Sequence, residues 1–319
     1  MKKMFLFAAA AMVSLSSCVQ SETVYTGQVQ EMGFKSAVTR GIIQSNDDMI
    51  YPIAVTAQLK DKAATTYENY FTNAQFVYDA GSSLWKGEPA RYWSTSGDID
   101  FLAFCPYPAL AVITSNYDTN GAFETMVISG IDNSIKDQHD ILFSDLLSVE
   151  APQTAAQALQ FHHATAQLNL TFKKTDSAAA VIVNSVKIHN VGISGTLTVT
   201  PVRGGSSTAV WTPDTPKLRY FLDADATGIE DGTLDAELTS SSTYSPVPML
   251  VLPGTQTQIE IAYTVDGHDQ VYIHDLSTTG ETWNMGYKYT YNYTINVNEI
   301  IFDCTVDEWD TIDGGNITI

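Results

Sequence analysis

The sequence is short of positive charge, of cysteine and of long apolar runs, and each shortage excludes something. Only 16 Lys+Arg stand against 36 Asp+Glu, for a formal charge of -20 over 319 residues. Nucleic acid, whose phosphates need clustered Lys and Arg, is excluded as a partner, as is an electrostatic grip on anionic lipid. The one run of apolar residues near the N-terminus, Met4 to Val13, is ten residues long, about half the ~20 that a helix needs to span a bilayer. No Gly-x-Ser-x-Gly elbow, no Gly-x-x-x-x-Gly-Lys phosphate loop and no Gly-x-Gly-x-x-Gly after a strand is present, so those enzyme classes lose support. At 44% hydrophobic and 16% charged residues the chain is too apolar for disorder.

What is present begins with an address. Lys2 and Lys3 precede the apolar run, and Ser14-Leu15-Ser16-Ser17-Cys18 follows it. This reads as a cleaved signal peptide over residues 1–17, and Leu-small-small-Cys resembles the bacterial lipobox, so Cys18 is expected to be lipidated, to begin the mature chain and to anchor it to the outer membrane. Removing Lys2 and Lys3 takes the formal charge from -20 to -22. The other two cysteines, Cys105 and Cys304, can pair in an oxidising compartment, but the reading favoured is two buried free thiols.

The body of the chain has the period of strands. Its 16 tyrosines, 13 phenylalanines and 5 tryptophans fall among many Ser, Thr and Val residues, a composition suited to pleated, half-buried surfaces. Leu168, Leu170 and Phe172 alternate with polar neighbours, as do Ile259, Ile261, Tyr263 and Val265, and each strand should have one wet face. Ile99 to Phe104 reads as a strand that ends at Cys105-Pro106. Tyr287 to Val297 carries the clearest alternation, with its tyrosines on one face. Ala151 to Ala166 is ambiguous: Pro152 can open a helix, whereas Leu159 and Phe161 alternate. The fold class is all-β, with two tandem β-sandwiches: signal peptide 1–17, lipidated tether or pro-segment 18–40, first sandwich 41–158, second sandwich 159–319.

Candidates for chemistry are few. His162 and His163 are adjacent and point to opposite strand faces, and His139, His189, His268 and His274 lack zinc-ligand spacing. Asp98 with Asp100, or Asp307 with Glu308 and Asp310, are the pairs a glycoside hydrolase would need; exposed acidic strand positions are the plainer account. Asp223, Asp225, Thr227, Gly228 and Asp231 follow calcium-loop spacing, but Leu234 stands where the bidentate carboxylate belongs. No metal, cofactor or catalytic residue is expected. A surface glycan-binding lipoprotein is the alternative reading, with Tyr92, Trp93 and the Tyr287 to Tyr293 ladder as its platform.

The order of short motifs carries more. Asn73-Ala74-Gln75-Phe76, Trp85, Tyr92-Trp93, Ile99 to Pro106, Asp140-Ile141-Leu142-Phe143, Phe161 to Leu168, Leu252-Pro253, Trp283 to Tyr291 and Val306 to Trp309 together resemble the Bacteroidales fimbrillin family. The resemblance implies a lipoprotein precursor with two transthyretin-like sandwiches, carried to the cell surface and built into type V pili with other pilus subunits. It also implies that an arginine-specific protease cuts ahead of the core and that a neighbour's strand fills the vacated groove. Arg40, followed by Gly41, suits the cut. Asn316, Ile317, Thr318 and Ile319, after Gly314-Gly315, offer a donor strand, with the subunit's own last strand as the competing role.

Overall fold

The computed structural model describes residues 30–37, 51–107, 112–132, 138–175, 179–221, 233–255, 258–278, 282–296 and 300–308. Cys18, Arg40, Gly41, the Asp223 to Asp231 stretch, Asp310 and the segment Asn316, Ile317, Thr318, Ile319 lie outside the described residues. Every regular element described is a strand, as the abundance of β-branched and aromatic side chains requires.

The first unit is a circuit of strands that closes on itself. Ile53–Asp61 pairs with Glu68–Asp79, and the order continues through Leu84–Gly87, Gly33–Ala37, Gln157–His163, Leu142–Ser144 and Gly97–Cys105, which pairs back to Ile53–Asp61. Its inward side chains include Phe34, Ile53, Phe76, Trp85, Phe101, Cys105, Leu159 and Phe161. Gly97–Cys105 does not have a wet face. Ile99, Phe101, Ala103 and Cys105 face the first core, while Leu102 and Phe104 face a second one.

That second core lies under a sheet assembled from distant parts of the chain. Val112–Tyr117 and Phe123–Asp132 form one hairpin, Ser194–Thr200 and Thr208–Pro213 another, and the two join where Phe123–Asp132 pairs with Ser194–Thr200. Met126, Ile128, Leu197 and Val199 from this sheet pack on Ala54, Leu102, Phe104 and Phe143.

The third core is a sandwich. One sheet orders Met249–Val251, Ala166–Lys174, Tyr287–Ile295 and Ile300–Glu308; the other is built on Val181–Val191, with Gln258–Val265 and His268–Asp275 on one side and Lys217–Tyr220 and Ala236–Leu238 on the other. Alternation places Tyr289, Tyr291, Tyr293 and Ile295 inside. A buried phenol is tolerated only with a partner, and each ring has one: Trp283 Nε1 donates to the Tyr291 hydroxyl at 2.8 Å, the Tyr289 hydroxyl donates to the Thr282 carbonyl at 3.0 Å, and His274 Nδ1 lies 2.9 Å from the Tyr293 hydroxyl. Tyr291→Phe is therefore expected to cost about 1–3 kcal/mol, because it strands a buried indole N–H. Denaturant titration followed by tryptophan fluorescence measures it; a loss within a few tenths of a kcal/mol would show that the indole finds another acceptor.

Two expectations need correction. Pro152 opens no helix; the ambiguous stretch contains the strand Gln157–His163, whose Leu159 and Phe161 alternate into the first core. Of the two thiols expected to be buried, only Cys105 is; Cys304 is partly exposed. Cys304 sits on Ile300–Glu308, the edge strand of its sheet among the described residues, where it pairs opposite Tyr291.

Candidate functional site

The site begins with a short strand that interrupts an otherwise local pattern. Gly33–Ala37 lies between two strands from far along the chain: Phe34 to Ala37 run parallel to Gln157 to Gln160, and Gly33 and Phe34 pair antiparallel with Lys86 and Trp85. Parallel pairing cannot come from a hairpin, so this strand is an insert. Gly33 packs closely there: a Cβ on it would meet Leu84 Cδ1 at 2.9 Å, so a larger residue would have to displace the end of that side chain. Met32 and Phe34 are both 0% exposed. The Phe34 ring sits 5.1 Å from Phe76, 5.2 Å from Phe101 and 5.9 Å from Trp93, centroid to centroid, while Lys35, next along the strand, is exposed. Arg40 follows the strand's last residue, Ala37, by only Val38 and Thr39.

The residues before the strand hold a loop. Met32 N donates to the Arg91 carbonyl at 2.7 Å, Trp93 N donates to the Gln30 carbonyl at 2.9 Å, and Glu31 and Tyr92 form a bridge. Beside Gly33, with which its backbone pairs, Lys86 places Nζ 2.6 Å from Asp79 Oδ2, and the bonds from Lys86, then Ser82 and Gly81, hold the Asp79 carboxyl down to about 2. The slot thus has an apolar floor, two backbone edges and a charged rim.

The carboxylates considered for hydrolysis are engaged elsewhere. Asp100, 3% exposed, is gripped by both terminal nitrogens of Arg203, which also reach Ser148 Oγ and the Tyr67 hydroxyl, each at 2.7 Å. Asp98 Oδ1 accepts from Ala151 N at 3.1 Å. Neighbours on one strand, Asp307 and Glu308 point to opposite faces of the edge strand Ile300–Glu308. His162 and His163 do face opposite ways: His162 Nε2 meets Asp145 at 2.9 Å, and the buried His163 Nδ1 meets Asp140 at 2.8 Å. Burial pushes the Asp140 carboxyl up against the opposing pull of His163, and pushes the Cys105 thiol up as well, so Cys105 is no nucleophile. Of the aromatic platform, Trp93, Tyr289, Tyr291 and Tyr293 are at most 2% exposed. They are core, Tyr287 is half-buried, and Tyr92 is the open ring at 46%.

The run Gly33 to Gly41, at the end of the tether, reads in sequence as the lead into a first strand, but the slot, the Arg91 loop and the Arg203 clamp were missed. One signal was available for the slot: Met32 and Phe34 are two residues apart around a glycine, the spacing of a one-faced strand.

The all-β fold of this chain is shared with solved structures from Bacteroides. A fimbrial protein from Bacteroides vulgatus aligns with a TM-score of 0.57 at 13% identity, over 88% of this chain and 100% of that one. Candidate cell adhesion proteins from Bacteroides uniformis (TM-score 0.52, 17% identity, 88% and 98% covered) and Bacteroides ovatus (0.51, 14%, 89% and 99%) share it. No curated protein matches the sequence at a significant level. The fimbrillin-like family model matches residues 38–309, and the chain belongs to that family.

Proposed function

We propose that this chain is a fimbrial subunit or adhesin of the cell surface, exported as an outer-membrane lipoprotein through Cys18 and assembled with other pilus subunits by strand exchange once an arginine-specific protease has cut between Arg40 and Gly41. The observation that carries the reading is the placement of Gly33–Ala37. A cut at Arg40 detaches a segment that contributes Met32 and Phe34 to the first core, worth roughly 3–6 kcal/mol of burial at ~1.5–3 per side chain. While joined to the chain, that segment docks intramolecularly; after the cut its docking is bimolecular and loses the effective concentration of the tether.

An emptied slot leaves Leu84–Gly87 and Gln157–His163 each with an unpaired edge over an apolar hole, which a strand from a second copy or a related subunit satisfies. The proposed donor is Asn316 to Ile319, whose Ile317 and Ile319 have the same two-residue spacing as Met32 and Phe34.

The test is a size ladder before and after arginine-specific proteolysis. Wild type should give polymers only after the cut, Arg40→Lys should stay monomeric, and a chain lacking residues 316–319 should be cut yet fail to polymerise. Polymers from Arg40→Lys would sink the processing step, and polymers from the truncated chain would exclude this donor.

A further inference from the structure

We infer that the Arg91–Tyr92 peptide bond is a second, conditional processing site: closed while the N-terminal strand fills its slot, and open to the same arginine-specific protease when the slot is empty. The inference rests on the processing proposed above.

The chain has four arginines, Arg40, Arg91, Arg203 and Arg219. Two are held by the body of the fold. Arg203 is clamped to Asp100, Tyr67 and Ser148, and Arg219, 6% exposed, lies in a strand paired with Val181–Val191. Arg91 is different in kind. It sits in the irregular link between Leu84–Gly87 and Gly97–Cys105, and its main chain is held by residues 30–32: the Arg91 carbonyl accepts from Met32 N, Trp93 N donates to Gln30, and Tyr92 bridges Glu31. Its side chain lies over the Phe71 ring at 5.3 Å. Residues 30–32 are among those that a cut at Arg40 would carry away.

The bond to Met32 is the decisive one. A protease of this kind polarises the carbonyl of the arginine it cuts, and that oxygen must enter an oxyanion hole. In the filled slot the Arg91 oxygen is already occupied by Met32 N–H. The flanking link must also extend into the enzyme as a strand, and its pairing with residues 30–32 prevents this. With the slot empty both restraints go, and the Tyr70 hydroxyl, which donates to the Tyr92 carbonyl at 3.0 Å, is left as a tie on the link's leaving side. Tyr92, on the leaving side, is already 46% exposed. Hydrolysis then adds one water: the Arg91–Tyr92 C–N bond breaks, Arg91 takes the oxygen as a carboxylate and the Tyr92 nitrogen takes both protons to become an ammonium. The cut separates two strands of the first circuit. A donated strand that restores the pairing restores protection, so the protease that licenses assembly also removes subunits left unfilled.

The experiment uses the full chain in an Arg40→Lys background, which the protease leaves joined, and follows fragments with a new N-terminal Tyr92 by mass spectrometry. Met32→Pro removes the amide donor to Arg91, and Met32→Leu keeps both donor and bulk. Release of the Tyr92 fragment should quicken by roughly tenfold or more in Met32→Pro, with Arg203 and Arg219 uncut, while Met32→Leu stays resistant. Equal rates in all three chains would overturn the inference, as would cutting at Arg203 and Arg219 alongside Arg91, since that is general unfolding. In wild type, the Tyr92 fragment should follow the cut at Arg40. A wild type never cut at Arg40 refutes the processing reading, and the Met32 comparison still decides the gate by itself.

Discussion

Truncating Phe34 to alanine should destabilise the protein by about 3–5 kcal/mol and lower its unfolding midpoint by roughly 10 °C. The ring is fully buried among Phe76, Trp93 and Phe101 in tilted and edge contacts, and the strands around it close a circuit that cannot easily collapse into the hole. Lys35→Ala, one residue on and exposed, is expected to change stability by less than about 0.5 kcal/mol. Calorimetry of the two variants measures the contrast directly. A Phe34→Ala loss below about 1 kcal/mol would mean that the N-terminal strand is only loosely docked, and the emptied slot would then be a minor event rather than a large one.

The second large effect is expected at Arg203→Ala, about 2–4 kcal/mol, from a residue that is itself half exposed. The loss comes from the partner. Asp100 has a side chain only 4% exposed, and removing Arg203 leaves its carboxylate buried without the guanidinium; breaking a buried pair from one side is costly for that reason, here discounted because the arginine keeps contact with water. Replacing both residues by leucine should recover at least half of the loss, since no charge is then stranded. Chemical denaturation of the single and double variants decides it. If the double variant is no better than Arg203→Ala, loss of the Arg203 guanidinium from over the Tyr67 ring is the cause instead.

Period two made individual strands legible and said nothing about their neighbours. Leu168, Leu170 and Phe172 alternate plainly, yet they run parallel to Tyr289, Tyr291 and Tyr293, more than a hundred residues later, and no local pattern encodes that choice. The Ile99 to Phe104 run reads as a strand for the right reason, but its burial on both faces depends on the sheet holding Ser194–Thr200. Arg203-Gly204-Gly205 has the composition of a turn and forms one, Gly205 N donating to the Val202 carbonyl; that its arginine would find Asp100 depends on folding that brings positions 103 apart in sequence together. The slot was half legible, through Phe34. What hid the rest is that residues 18–40 look like a polar tether when averaged, and two buried side chains among them do not shift an average.

The shared sheet also has a consequence for biosynthesis. A ribosome delivers Phe123–Asp132 well before Ser194–Thr200, and at ~5–20 residues per second the intervening stretch of about 60 residues takes several seconds. Throughout that interval Leu102, Phe104 and Ile128 lack the Leu197 and Val199 that complete their cover. The N-terminal half therefore cannot finish folding as it emerges, and a holding chaperone would be useful on the nascent chain until Ser194–Thr200 arrives.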